Sequence, residues 1–570
     1  MRGRVPFQSM QRRGALGVAS ALGLAALALG WQLASACSAL VDRADSQCAR
    51  DEDCAKFGAF TCVRGGCTAA PELEAGTDAA TFGPCTTTAE CLTAHGGAGW
   101  VCRHLDNTCV SVISPDCPTI LGHYERDDAI LLGAIVPIDG PHATTGAALS
   151  NALRLAVEDF GPGIPGPDGG ARPLAVVLCN ESTLVDRAAT HLAEDLLVPA
   201  IVGTGESATT RQVAADVTRP KGLLLISARA TADLSSVSSS GLVWRTCPSD
   251  TYEADALVAL AEKVVLPNVT ADASASAHVA LVHATDVESI ELDAKISGTL
   301  HLNGALATDP SNAPYFVHVD YGDPDSLADT DASGAFSAAV DAVVTAPTPP
   351  DVVLLVGSTQ AVSNVLAALE GRWPLGVSPP RYIVSSGLQT SELLTLAAAK
   401  DSLRRRILGT APGGNGANVD AFYGRFARAF LDGTVAQEFG VAQAYDALYV
   451  LAFAEAASPK SAPLGAELRD ALVGALTPRP PLASVPIDVA PASIPATFAA
   501  LADGEPIAVN GASAPLPFQT TSGDVVTDVQ VWCIAPASDA GAIAYERSGI
   551  AFVSNSATLA GNAVGANCGQ

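Results

Sequence analysis

Three short stretches of this sequence combine hydroxyls, glycines and small side chains where an apolar run gives way to a helical pattern. The first is Pro137-Ile138-Asp139-Gly140-Pro141-His142-Ala143-Thr144-Thr145-Gly146. The second is Gly203-Thr204-Gly205-Glu206-Ser207-Ala208-Thr209-Thr210, and the third Ser227-Ala228-Arg229-Ala230-Thr231-Ala232-Asp233. Hydroxyls and open backbone N–H groups at such joints can hydrogen-bond a small polar or anionic group without any bond being made or broken. A Ser or Thr before a helix is also a plain N-cap, so no single residue marks a site; several loops converging on one edge would.

Motifs for covalent chemistry are absent. The sequence has no G-x-S-x-G elbow, no Walker lysine loop and no paired zinc histidines, and its nine histidines are scattered. Gly161-Pro162-Gly163-Ile164-Pro165-Gly166 satisfies the G-x-G-x-x-G expression, but it follows a helical pattern and carries two prolines, which reads as a surface loop. Asp320, Asp323, Asp325, Asp329 and Asp331 fit no calcium-loop spacing and read as a solvated acidic turn. The expectation is a protein that is not an enzyme and needs no cofactor and no metal.

The elements that would position the three loops alternate. Strands are expected at 130–136, 174–178, 200–202, 223–226, 279–282, 352–356 and 382–384, each short, β-rich and bounded by turn residues. Helices are expected between them, including 147–160, where Leu149, Leu153, Ala156 and Val157 recur at helical spacing, and 186–197. Such alternation predicts an α/β class with parallel sheets covered by helices. In those sheets ligands sit beyond the carboxyl ends of the strands, where these loops lie.

The N-terminal part differs in texture. Arg2, Arg4, Arg12 and Arg13 precede an apolar run from about Ala15 to Trp31, then Ala34-Ser35-Ala36-Cys37, which reads as a signal peptide over 1–36. A retained membrane anchor is the competing reading, because the run approaches the ~18–20 residues that span a bilayer. Cys37 stands where a lipoprotein is cleaved and lipidated, although Ala34 replaces the usual Leu three positions earlier and ordinary cleavage after Ala36 competes. Ten of the fourteen cysteines fall before residue 118. Cys48, Cys54, Cys62 and Cys67 form one group of four and Cys85, Cys91, Cys102 and Cys109 a second, favouring two disulfide knots over zinc, since no close C-x-x-C pair occurs. A formal charge of −27 disfavours nucleic acid and anionic lipid as partners.

From 129 to 555 the chain resembles the type 1 periplasmic binding-protein family, and most closely its leucine/isoleucine/valine-binding branch. The first loop with Asn151, Leu155 and Ala156-Val157-Glu158-Asp159, Val202-Gly203 with Ser207, the segment from Ser227 to Leu234, Arg245 with Pro248-Ser249-Asp250, and Tyr445-Asp446-Ala447-Leu448-Tyr449 carry the likeness. The resemblance implies two α/β lobes with hinged crossovers: 128–250 with 413–510, and 251–412 with 511–555, after a Cys-rich module at 37–117 and before a tail at 556–570. It implies that Thr145, Ser207, Ala208, Arg229, Thr231, Glu288, Thr359 and Ser386 border a ligand, with Ser207 and Thr231 bonding its carboxylate.

Three departures weaken the amino-acid reading. The branch has an aromatic where this chain has Asp286-Val287-Glu288-Ser289, and an acidic residue near Ser385-Ser386-Gly387, where this chain offers hydroxyls. Gly357-Ser358-Thr359-Gln360 also lacks the usual aromatic, while Glu206 or Glu288 could supply the missing negative charge. The expectation is an exported, lipid-anchored protein of the periplasm or cell envelope that captures a small polar ligand, an amino acid or an amide, for an ABC permease. A sensory receptor or a surface interaction protein with the same fold are the alternatives.

Overall fold

The computed structural model describes residues 60–63, 66–69, 82–561 and Cys568, except 183, 270–275, 325–328, 415 and 537–541. The signal segment, Cys37, Cys48 and Cys54 lie outside the described residues, as does the side-chain chemistry of Cys62 and Cys67. Two compact units divide at Asp78. In the first, Phe60–Val63 and Gly66–Ala69 form an antiparallel hairpin.

The unit from Ala79 onward contains two large sheets. The first comprises β1 (Thr119–Gly122), β2 (Ile130–Val136), β3 (Leu174–Asn180), β4 (Ala200–Gly203), β5 (Leu224–Ser227) and β6 (Val243–Arg245), in the spatial order β6-β5-β4-β2-β3-β1. All pairs are parallel except β3 with β1. Strands in such a sheet are buried on both faces, so they alternate between two cores rather than between core and solvent. In β2, Leu132, Ala134 and Val136 join one core and Ile135 the other.

The second sheet comprises β7 (Val279–His283), β8 (Phe316–Asp320), β9 (Val352–Val356), β10 (Arg381–Val384), β11 (Ile407–Pro412), β12 (Val529–Pro536), β13 (Ile543–Val553) and β14 (Thr558–Ala560). Its order is β8-β7-β9-β10-β11-β12-β13-β14, parallel up to β11 and antiparallel beyond. In β9, Val353 and Leu355 face one core while Val352, Leu354 and Val356 face the other. The α/β class and the two-lobed parallel architecture are therefore as expected from the alternation of elements.

The chain crosses between lobes three times. After β6 it enters α3 (Asp250–Leu260), whose Leu257 and Leu260 pack in the second lobe. It returns after β11, because Phe422 and Phe426 join the first lobe's core. The final crossing comes at Val529 rather than at 511: Ala512, Leu516 and Val525 are packed in the first lobe. Asp446 holds that late segment in place, accepting bonds from Ala512 N at 2.6 Å and from Ser513 N and Oγ at 2.9 and 2.6 Å. Asp446 lies on the helix Val441–Ala457, which is apolar nearly all round and correspondingly buried between α1 (Ala143–Asp159) and its neighbours.

Two further boundaries differ from expectation. The first sheet begins at Thr119 rather than after 128, since β1 adds to the edge through pairing with β3. The segment from 556 is part of the second lobe: β14 pairs with β13, and Cys568 is bonded to Cys533. The second cysteine group forms Cys85–Cys102 and Cys91–Cys109, so disulfides and not zinc hold it, and Cys117–Cys179 ties its end to β3. This group is not a free appendage. Val110 and Val112 lie in a core of the first lobe, and Arg103 donates to the carbonyls of Glu194 and Asp195. Cys247 is a free, buried thiol that donates to Ala230 O at 3.5 Å, and burial pushes it up to about 12.

Candidate functional site

Each sheet has one point where strand order reverses, and connections leave it in opposite directions. In the first sheet it lies between β2 and β4, in the second between β7 and β9. Loops diverge there and leave a crevice at the strand ends. Close approach of backbone demands glycine at both places. A Cβ on Gly203 (φ +137) would meet Ile135 O at 2.4 Å, and one on Gly357 (φ +156) would meet the Tyr321 hydroxyl at 1.9 Å.

The two crevices face a shared cavity of about 60 Å³. The first lobe lines it with Gly205, Glu206, Arg229, Thr231 and Phe439; the second with Glu253, Asp286, Glu288, Gly357 and Ser386 among others. A larger cavity of about 390 Å³ lies on the other side of Phe439, walled by Gln389, Tyr423, Glu438, Trp532 and Tyr545. Its size falls in the range of small-molecule sites, whereas the smaller cavity has room for only a few water-sized groups.

Three consecutive amides open α2 (Ser207–Val213), and each already has a carboxylate. Glu181, at the end of β3, accepts from Gly205 N at 2.6 Å and Glu206 N at 3.1 Å, and from the Thr209 hydroxyl. Ser207 N donates to Glu288 Oε1 at 2.5 Å, across from the second lobe. Glu288 lies in the first turn of α4 (Val287–Thr299), which Asp286 caps by accepting from Ser289 N and Oγ, both at 2.8 Å. One turn on, Glu291 accepts from Arg211 Nη2 and from Asp233 N, both at 2.7 Å. At the opposite rim Thr144 Oγ1 donates to Glu392 at 2.8 Å.

Of the expected site residues, Arg229, Thr231, Glu288 and Ser386 line the smaller cavity. Ser207 borders it through its amide, and its hydroxyl accepts from Ala232 N at 3.2 Å. The Ser386 amide and hydroxyl donate to Glu253 at 2.6 and 2.8 Å, which Thr410 Oγ1 also reaches at 2.8 Å. Arg229 Nε donates to Gly205 O at 3.1 Å and Nη1 to Phe439 O, with the guanidinium 5.1 Å from the Phe439 ring. Thr145, Ala208 and Thr359 do not line it. Thr145 is turned toward Glu438 at 2.5 Å, Ala208 is exposed and Thr359 is buried beside the cavity wall.

The sequence reading overlooked Glu253, Asp286 and Phe439 as lining residues. Asp286 stood inside a quoted loop, and Glu253 follows the crossing segment by one helical turn, but neither advertises its partner. The resulting chamber is acidic. Burial, with the charge of Glu288 adding, pushes Glu206 up to about 8 against the pull of His142 and Arg229. Burial and the same Glu288 charge push Asp286 up to about 7. Burial also raises Glu253.

A separate group joins α4 to β7 and β8. His283, Asp293 and His318 bring ligand atoms within 4.8 Å of one another, with His318 Nε2 2.7 Å from Asp293. These three side chains could hold a divalent metal. Among the described residues no helix is long and apolar enough to cross a membrane.

No family model and no curated protein matches this sequence. Solved structures do. The branched-chain amino acid transporter substrate-binding protein LivJ from Streptococcus pneumoniae, in complex with isoleucine, is 15% identical, with a TM-score of 0.52 over 74% of this chain and 99% of its own. The leucine-binding protein LivK from Thermotoga maritima is 16% identical, with a TM-score of 0.52 over 73% and 98%. An ABC-transporter solute-binding protein from Rhodopseudomonas palustris, in complex with 3,4-dihydroxybenzoic acid, is 15% identical, with a TM-score of 0.53 over 75% and 98%. Agreement along nearly the whole length of those proteins shows that residues of this chain adopt the type 1 periplasmic binding-protein fold, the two-lobed fold of these transporter receptors.

Proposed function

We propose that this chain is an extracytoplasmic solute-binding protein that captures a small polar ligand between its lobes by hinge closure, for ABC-type import, and that it catalyses no reaction. The observation that carries the reading is the meeting of two strand-reversal points, one from each lobe, on one cavity lined by both. Three chain crossings between the lobes supply the hinge. Residues 119–245 with 417–525 form one lobe, and 250–412 with 529–560 the other. Solved proteins of this fold carry isoleucine or an aromatic acid, which supports a small-molecule guest whose head group enters the cavity.

Arg229, Thr231 and Glu288 are the contacts we assign from the expected set, together with Glu206, Asp286 and Phe439, while Ser386 lines the wall with its donors committed to Glu253. Export with lipidation at Cys37 completes the reading, and four disulfides among the described residues support an oxidising compartment. The engaged amides at the start of α2 favour a second reading, a surface interaction protein whose lobes close on themselves without a guest.

A thermal-shift screen of amino acids, amides, urea-like solutes, aromatic acids and amines, followed by calorimetry, separates the two. The first reading expects a hit that binds one per chain and is weakened about tenfold or more by Phe439→Ala. If no compound in any class shifts the protein, the solute-capture reading is wrong.

A further inference from the structure

In the smaller cavity the protein's own carboxylate stands where a ligand carboxylate would have to go. We infer that Glu288 is a resident occupant of the Ser207 amide, and that the ligand class is therefore an amine without a carboxylate group. The inference rests on the solute-capture reading and deepens it.

Two observations fix Glu288 in this role. The amides of Gly205 and Glu206, which lead into α2, are taken by Glu181, and that of Ser207, its first residue, by Glu288, so none of these three is left for a guest anion. Glu291, three residues on and therefore on the same face of α4, is itself bonded to the first lobe through Arg211 and Asp233 N. The helix is held at two points, and Glu288 is delivered to the amide by that seating rather than by a loose rotamer. A ligand carboxylate would have to expel Glu288 and then lie beside it, in a chamber where like charges are poorly screened.

The remaining wall selects the sign of the guest. Glu206, Glu253, Asp286 and Glu288 contribute four carboxyl groups, while the one guanidinium, that of Arg229, is turned to the carbonyls of Gly205 and Phe439. His142 also pulls Glu206 down, without reversing its rise. An ammonium or guanidinium head supplies donors and positive charge together, and a head group is what about 60 Å³ accommodates. Burial of these acids beside Glu288, offset only in part at Glu206 by His142 and Arg229, is also why Glu206 and Asp286 hold their protons well above the usual carboxylate range.

The test, on the full chain, uses three compounds that share the isobutyl side chain: leucine, 3-methylbutylamine, which is leucine without its carboxylate, and 4-methylpentanoate, which is leucine without its amine. Calorimetry on the wild type is expected to give the amine at least about a tenfold tighter Kd than leucine, with no binding of the acid. Glu288→Ala is expected to gain about tenfold for leucine and to lose affinity for the amine. Glu288→Gln keeps an acceptor for Ser207 N without the charge, so it is expected to weaken the amine without admitting leucine. Circular dichroism confirms that both variants are folded. Wild-type binding of leucine or 4-methylpentanoate as tight as that of the amine overturns the inference while leaving solute capture intact. Silence of all three compounds on wild type and both variants, with silence in the wider screen, overturns both.

Discussion

The first lobe brings a run of backbone amides to the cleft, with the carboxyl group of Glu206 among them, and the second brings mostly carboxylates. Gly205, Glu206 and Ser207 offer successive amides from the loop after β4, and Asp233 offers another after β5. Opposite them Asp286, Glu288 and Glu291 follow one another along the start of α4, with Glu253 behind them on α3. The difference teaches which lobe sets specificity. The amides of Gly205, Glu206, Ser207 and Asp233 are consumed by the protein itself, three by Glu181 and Glu288 and one by Glu291, so the acids weigh most on a guest at this edge.

The largest expected break of this contrast is at Glu253. Its carboxyl group is buried and accepts from Ser386 N, Ser386 Oγ and Thr410 Oγ1, so Glu253→Ala strands three donors. A loss of about 3 kcal/mol in denaturant unfolding is expected, with Glu253→Gln losing less than half of that. A near-neutral Glu253→Ala would mean that the second lobe's acids are not built into its fold.

Next in size is the seam itself. Removing both carboxylates in Glu288→Ala/Glu291→Ala takes away the cross-lobe bonds to Ser207 N, Arg211 and Asp233 N. The closed state is expected to lose about 2 kcal/mol relative to the open one, seen as a larger radius of gyration in solution scattering. An unchanged scattering profile would show that other contacts, such as Thr144 to Glu392, hold the lobes.

The pH dependence is smaller. Glu206 and Asp286 retain protons to about pH 8 and about pH 7 in the folded chain, against ordinary values of 4.5 and 3.8. Between those limits the folded state binds more protons than the unfolded one, so stability falls as pH rises from about 4.5 to 8. The melting temperature without ligand is expected to be a few degrees higher at pH 5 than at pH 8, and Glu206→Gln is expected to reduce the difference by its own share, the rest coming from buried acids elsewhere such as Glu438, Asp446 and Glu455. A melting temperature that rises over this window would contradict the acidic chamber. Smallest of all is Arg211→Ala, which removes a partly exposed ion pair with Glu291 and the bonds to Asp233 O, and is expected to cost about 1 kcal/mol in the same unfolding assay.

Much of the scaffold was legible because the forces that make it are local. Runs such as Val352–Val356 carry β-branched and aliphatic residues between turn signals, and burial on both faces needs nothing more specific. The helix expected over 186–197 is Val185–Thr190 continued by a π-turn at His191–Asp195, a distortion that no periodicity encodes. β1 and β14 escaped notice because an edge strand of three or four residues is defined by the strand it joins. The loops of the site were legible as loops, from glycines and hydroxyls at strand ends. Their pairings were not: Ser207 and Glu288 are 81 residues apart, and Ser386 and Glu253 are 133 apart. Hydroxyls that read as ligand donors, at Ser386 and Thr145, are spent on buried glutamates that only the tertiary fold brings to them.

A crystal structure of the wild-type protein with the tightest compound from the thermal-shift screen bears most directly on the account. The expected result is density for the guest between the lobes, touching Glu206, Asp286 and Phe439, with Ser207 N still bonded to Glu288. Density for the guest outside the cleft, or a cleft left empty while the compound sits on another surface, would contradict it.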